Sequence, residues 1–206
     1  MAGFRQDELL RNVSAAIIAG DASARDAAQA CLDAGIALDE IISKGVFSAW
    51  DEFCLWYARD PMGSLKRWLD CFNSTYRILR LLESGLPPPR AGAPAILVCT
   101  ARGENHVLMK DIVALLLKAR GFKVYCYRRG LAAGDASEAT GDASLKYVVL
   151  SCIQEDAVQP AMELVEGIAA RRPDVKVIAG GPMADKVHAD AAVDDVESLF
   201  AIINPG

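Results

Sequence analysis

This sequence has only two histidines, His106 and His188, in 206 residues. Its six cysteines, at 31, 54, 71, 99, 126 and 152, form no Cys-x-x-Cys pair. A protein-only zinc site needs clustered Cys and His, so that chemistry is excluded, and the cysteines are expected to be free thiols in apolar surroundings. Basic clusters are equally scarce. Beyond Arg128-Arg129 and Arg171-Arg172 none occurs, and the net charge is -5, which argues against a nucleic-acid footprint. No apolar run approaches the length of a membrane span. The opening residues MAGFRQDELLRN carry charge where a signal peptide needs an apolar stretch. The expectation is a cytoplasmic protein with no membrane partner. With 52% apolar and 24% charged residues, the chain has enough apolar surface to build cores.

Proline is concentrated in one place. Glu83 to Pro94 holds four of the nine prolines, including three in a row, and such a run cannot continue a helix. The expected organisation is a domain over 1–83, a Pro-rich linker over 84–94 and a second domain over 95–206. The first part reads as helices. Leu9, Leu10, Val13, Ala16 and Ile17 form a stripe ended by Gly20-Asp21, and Asp21 or Ser23 caps a second helix that stops at Gly35. Leu38 to Trp56 is a third helical region, broken at Arg59-Asp60-Pro61, and Leu65 to Leu79 a fourth. Four amphipathic helices predict a bundle.

In the second part the period changes. Ala95–Thr100, Phe122–Tyr127, Tyr147–Ser151 and Val175–Ala179 read as strands, with helices over Val107–Arg120, Val158–Arg171 and Val196–Ile203. Gly130–Lys146 is a poor helix candidate, and His188 sits in a short loop where it is expected to be solvated. Strands alternating with helices predict a parallel sheet of the α/β class. In such sheets ligands bind outside the carboxyl ends of the strands.

A spaced set of residues falls at those ends. Glu104-Asn105-His106-Val-Leu-Met109 is followed after 41 residues by Ser151-Cys-Ile153, and after 26 more by Gly180-Gly181. This skeleton resembles the Asp-x-His-x-x-Gly, Ser-x-Leu, Gly-Gly signature of cobalamin-binding proteins of methyltransferase systems. Three positions depart from it: Glu104 for Asp, Met109 for Gly and Ile153 for Leu. The resemblance extends to Leu32-Asp-Ala-Gly-Ile-Ala-Leu-Asp-Glu-Ile-Ile-Ser-Lys-Gly45 and Trp50-Asp-Glu-Phe. It implies a four-helix cap followed by a flavodoxin-like, Rossmann-like cobalamin domain.

The resemblance also implies roles. His106 would be the lower ligand of cobalt, the one metal ligand of the chain. Glu104 would fix its tautomer, with the Ser151 hydroxyl holding that carboxylate. Gly180 and Gly181 would let backbone approach the nucleotide tail, and Met109 would narrow the tail channel unless its side chain turns aside. Asn105 occupies a variable position, and Ile153 keeps apolar volume. Phe53, Trp56 and Tyr57 lie where the family's cap covers the upper corrin face, although helical spacing also fits them to bundle core.

The implied function is a corrinoid-binding methyl carrier serving separate methyl-donor and methyl-acceptor methyltransferases. No nucleophile or acid–base pair is recognisable, so the chain reads as a carrier subunit rather than a self-sufficient enzyme. Two other readings stay open: a cobalamin- or haem-binding sensor of the same fold, and a domain that only docks partners.

Overall fold

The computed structural model describes residues 2–62, 65–135, 138 and 140–203. The chain divides between Pro87 and Pro88 into two units. The dividing line falls inside the Pro-rich stretch, which carries no helix or strand.

The first unit is helical. The stripe through Leu10, Val13 and Ile17 becomes the buried face of α1 (Ala2–Ala19), which begins earlier than its apolar pattern. Gly20 ends α1 with φ of 67°, and its N–H reaches the Ile17 carbonyl at 2.9 Å. Next comes α2 (Ala24–Asp33). Ser23 sits at its N-cap without a side-chain bond, whereas the Asp21 carboxylate accepts the Ser23 N–H at 3.0 Å just outside the helix. Of the two expected caps, Asp21 therefore organises the turn. Gly35, with φ of 75°, closes α2 as expected.

The third helical region is not uniform. It runs as α3 (Leu38–Glu40), a π-helical turn (Ile41–Val46) and α4 (Phe47–Arg59), ending before Asp60-Pro61. The π turn buries Ile41, Ile42, Gly45 and Val46. A Cβ on Gly45 would stand 2.9 Å from a Val13 methyl, so glycine is what lets α1 pack this closely on the turn. The last helix of the unit is α5 (Leu65–Glu83). The Trp50 indole N–H donates to Thr75 Oγ1 at 3.0 Å, and that hydroxyl donates to the Cys71 carbonyl at 2.8 Å. A buried polar chain thereby ties α4 to α5.

The second unit is a five-stranded, all-parallel sheet. Its elements are β1 (Ala95–Thr100), α6 (Leu108–Ala119), β2 (Lys123–Cys126), β3 (Leu145–Ser151), α7 (Val158–Arg171), β4 (Lys176–Gly180), β5 (Ala191–Val193) and α8 (Val196–Ile203). The strand order is β2-β1-β3-β4-β5, which places the topological switch point between β1 and β3. All six residues of β1 are buried. Leu97, Cys99, Val148, Leu150, Val177 and Ala179 share a core with Ala161, Leu164 and Ile168 of α7. The alternate residues face the other side, where α6 packs along β1 and β2. The stretch 130–146, the poor helix candidate, includes residues 136, 137 and 139, which lie outside the described residues. Its described part contains a 3-10 turn at Ala133–Asp135. β5 matches no element expected from the sequence. Three residues are too few to show alternation, and only pairing with β4 makes them a strand.

Candidate functional site

The loop between β1 and α6 begins with a turn in which the Glu104 N–H reaches the Ala101 carbonyl at 3.2 Å. Gly103 provides the left-handed step, with φ of 92°. The Glu104 side chain then turns inward and is 0% exposed, while His106 remains 49% exposed. One carboxylate oxygen, Oε1, accepts the His106 peptide N–H at 2.8 Å and faces His106 Nδ1 at 3.1 Å. The other, Oε2, accepts the peptide N–H groups of Ile153 at 2.8 Å and Gln154 at 2.9 Å.

Burial alone would raise the Glu104 pKa. The donors from Gln154, His106 and Ile153 outweigh it and hold the carboxyl below its ordinary value of 4.5. An ionised carboxylate only accepts hydrogen bonds, so Nδ1 is the donor of this pair and Nε2 is the ring nitrogen that Glu104 leaves unengaged. The pair thus holds one half-exposed imidazole by a single nitrogen at the switch point.

Ser151 is placed differently from its implied role. It ends β3, in register with Thr100 of β1 and Gly180 of β4, and the groups that hold Glu104 Oε2 are the peptide N–H groups of Ile153 and Gln154 rather than its hydroxyl. The extra methylene of Glu carries the carboxylate past the strand end to the turn beyond it. Thr100, Ser151 and Gly180 nevertheless form a row on one face of the sheet. Thr100 Oγ1 is fully buried and is the buried side-chain polar atom without a partner among the described residues. A Cβ on Gly180 would meet nothing nearer than 3.8 Å. An orphaned hydroxyl in one row with an unfilled glycine position, with Ser151 between them, fits a polar group entering at this edge.

Gly181 has a reason of its own. Its φ is 103°, and a Cβ there would stand 2.5 Å from the Cys152 carbonyl oxygen. Glycine is required for the loop after β4 to pass the loop after β3. Met109 lies half-buried in the first turn of α6, Asn105 is exposed, and Ile153 is half-buried and contributes its N–H.

The three cap candidates belong to the helical unit. Phe53 is buried against Trp50, their ring centroids 5.3 Å apart. Trp56 lies beneath the Arg67 guanidinium at 4.7 Å and lines a groove of about 610 Å³ with Arg11, Glu52 and Asp70. Tyr57 is 50% exposed. Bundle packing therefore accounts for Phe53. His188 is exposed, as expected.

Sequence reasoning missed three residues near this edge. Gln154 accepts the Asn105 peptide N–H on its side-chain oxygen at 3.2 Å. Thr100 reads in sequence as one more strand residue. Lys110 is 2% exposed, and its Nζ donates to Asp111 Oδ1 at 2.7 Å, the Tyr127 carbonyl at 2.8 Å and Cys126 Sγ at 3.3 Å. Burial would lower its pKa, but Asp111 and Cys126 raise it, so the buried ammonium stays charged and pins the start of α6 to the end of β2. The one available signal was its position between Leu108 and Ile112 on the apolar face of α6.

Among the described residues no group of three or more His, Cys, Asp or Glu could hold a metal ion, and no helix is long and apolar enough to cross a membrane. A family model described as the B12 binding domain matches residues 94–200. No curated protein matches the chain. Solved structures similar in fold include the monomethylamine corrinoid protein of Methanosarcina barkeri, with TM-score 0.75 and 18% identity over 95% of this chain and 96% of that one. A cobalamin-binding protein from Desulfitobacterium hafniense DCB-2 gives TM-score 0.52 and 21% identity, over 95% and 97% of the two chains. The methanol:cobalamin methyltransferase complex of M. barkeri gives 0.51 and 18%, over 97% and 81%.

Proposed function

The chain belongs to the B12 binding domain family, and on that premise we propose that it is a corrinoid-binding methyl carrier of a methyltransferase system. The observation that carries this reading is the Glu104–His106 pair. It holds a half-exposed imidazole by Nδ1 at the carboxyl edge between β1 and β3 and leaves Nε2 unengaged by Glu104. Among the described residues no group of three or more His, Cys, Asp or Glu could hold a metal ion, so a metal facing His106 must bring its other ligands, as a corrin does.

In this reading each residue has a bounded task. His106 offers Nε2 to cobalt. Glu104 fixes the tautomer and raises the basicity of the ring through Nδ1. Thr100, Ser151 and the open position at Gly180 receive polar groups of the nucleotide tail, and Met109 borders that entry from α6. The corrinoid, when bound, supplies the methyl-transfer chemistry at cobalt. The partners are then a methyl-donor and a methyl-acceptor methyltransferase in the cytoplasm. The names of two structural relatives, a monomethylamine corrinoid protein and a methanol:cobalamin methyltransferase complex, support that class of partner.

Reconstitution with hydroxocobalamin, followed by gel filtration and absorbance, tests the proposal. Retained corrin with a spectrum that changes in His106→Ala is expected. No retained corrin would overturn the carrier reading, and retention with an unchanged His106→Ala spectrum would remove His106 as the ligand. Retention of haem in place of cobalamin would assign the pocket to a sensor.

A further inference from the structure

We propose that Gln154 is a positioning residue for His106, forming with Glu104 a two-way clasp that decides which imidazole nitrogen faces outward. The proposal builds on the reading of His106 as the metal-facing residue.

The clasp links two loops that leave the sheet at the switch point. From the loop after β1, the Glu104 carboxylate reaches across to the peptide N–H groups of Ile153 and Gln154, at 2.8 and 2.9 Å. From the loop after β3, the Gln154 side-chain oxygen reaches back to the Asn105 peptide N–H at 3.2 Å. Asn105 is the residue directly before His106. The other Glu104 oxygen takes the His106 N–H and Nδ1. The peptide groups on both sides of Asn105 are thereby tied to one carboxylate and one carboxamide, each reaching into the other's loop.

The residue types follow from this geometry. Glu104 is saturated by four N–H groups, so it has no capacity left for the Asn105 N–H, which points away from it. A neutral carboxamide can take that N–H without placing a second anion beside Glu104. Ser151 stops at the strand end and is too short to do so. The residue after the Ser-x-Ile word thus acts through the backbone of Asn105. Without its oxygen, that peptide is free to turn toward water and carry the ring off Glu104. The ring would then sample both tautomers, and only one of them presents a lone pair at Nε2.

The test uses the full-length apo protein, uniformly labelled with nitrogen-15, at mildly alkaline pH. His106 ring shifts and Asn105 amide exchange are recorded for wild type, Gln154→Met, which removes the acceptor at similar length, and Gln154→Glu, which keeps an acceptor oxygen. Wild type is expected to show a protonated Nδ1, an unprotonated Nε2 and a protected Asn105 amide. Gln154→Met is expected to speed Asn105 exchange about tenfold and to average the ring shifts between tautomers, with Gln154→Glu, which keeps an acceptor but sets a second anion beside Glu104, falling between Gln154→Met and wild type in both. The Val98 and Val149 amides report the sheet in the same spectra. Unchanged ring shifts and exchange in Gln154→Met would overturn the proposal. So would an equal loss of protection at Val98 and Val149, because Gln154 would then support the whole unit rather than His106. Adding hydroxocobalamin to wild type separates the two claims: failure to retain it would overturn the carrier reading, while the apo spectra still decide the role of Gln154.

Discussion

The Glu104 carboxylate accepts the peptide N–H of Gln154 at 2.9 Å, joining residues fifty apart in sequence. Its partner oxygen lies 3.1 Å from His106 Nδ1. One buried side chain therefore links the two loops of the switch point and orients the imidazole between them.

Replacing Glu104 with Gln should cost about 2–3 kcal/mol, because a carboxamide cannot accept from every N–H that the carboxylate holds. The loss should also depend on pH. The folded-state pKa of Glu104 lies below its ordinary value of 4.5, so folding favours the ionised form. Its contribution is complete above about 4.5, the unfolded-state value, and is lost as pH falls through the lower folded value. Urea titrations across that window should show an acid limb in wild type that is flatter in Glu104→Gln.

Thr100→Val removes the buried hydroxyl while keeping the side-chain shape. Since Oγ1 has no partner, the apo protein should be unchanged or more stable by up to about 1 kcal/mol. If the hydroxyl serves the nucleotide tail, corrinoid retention should fall severalfold in the same variant. Thermal melts and retention on gel filtration read the two effects separately. A variant that loses stability and keeps its corrin would give the hydroxyl a purely structural place.

Gly181→Ala should destabilise the sheet unit by about 1–3 kcal/mol. The new Cβ would sit 2.5 Å from the Cys152 carbonyl oxygen at a φ of 103°. Gly180→Ala, which meets only Val193 at 3.8 Å, should cost less than 1 kcal/mol. Denaturation of both variants side by side checks the ordering, and equal losses would contradict it.

In the helical unit, Thr75→Val leaves the buried Trp50 N–H without its acceptor. The expected loss is about 1–2 kcal/mol, read as an earlier tryptophan-fluorescence transition in urea. The Trp50 N–H should also exchange faster in the variant.

Much of this architecture was legible beforehand. The stripe from Leu9 to Ile17, the break at Asp60-Pro61 and the apolar runs of β1, β3 and β4 are local patterns with distinct periods, and each produced its element within a few residues. The positions of Glu104, His106, Ser151 and Gly180 at strand ends were legible for the same reason. The π turn at Ile41–Val46 was not, because it answers to the close approach of α1 at Gly45 rather than to any period of its own. Phe53 had two readings in the sequence, cap over the cofactor and bundle core, and its burial against Trp50 could only be seen once the helices were packed.

By itself the sequence determined where the long helices and the strands β1 to β4 lie, their order, and that His106 falls at a carboxyl end of the sheet. These follow from spacing along the chain, which local sterics and hydrophobic period decide. The tertiary structure alone decided what holds His106. The parallel alignment of β1 with β3 brings residues 104–106 against residues 153–154, and one extra methylene takes the carboxylate to peptide groups instead of the Ser151 hydroxyl. A hydrogen bond between residues so far apart depends on strand register, and no local pattern encodes it.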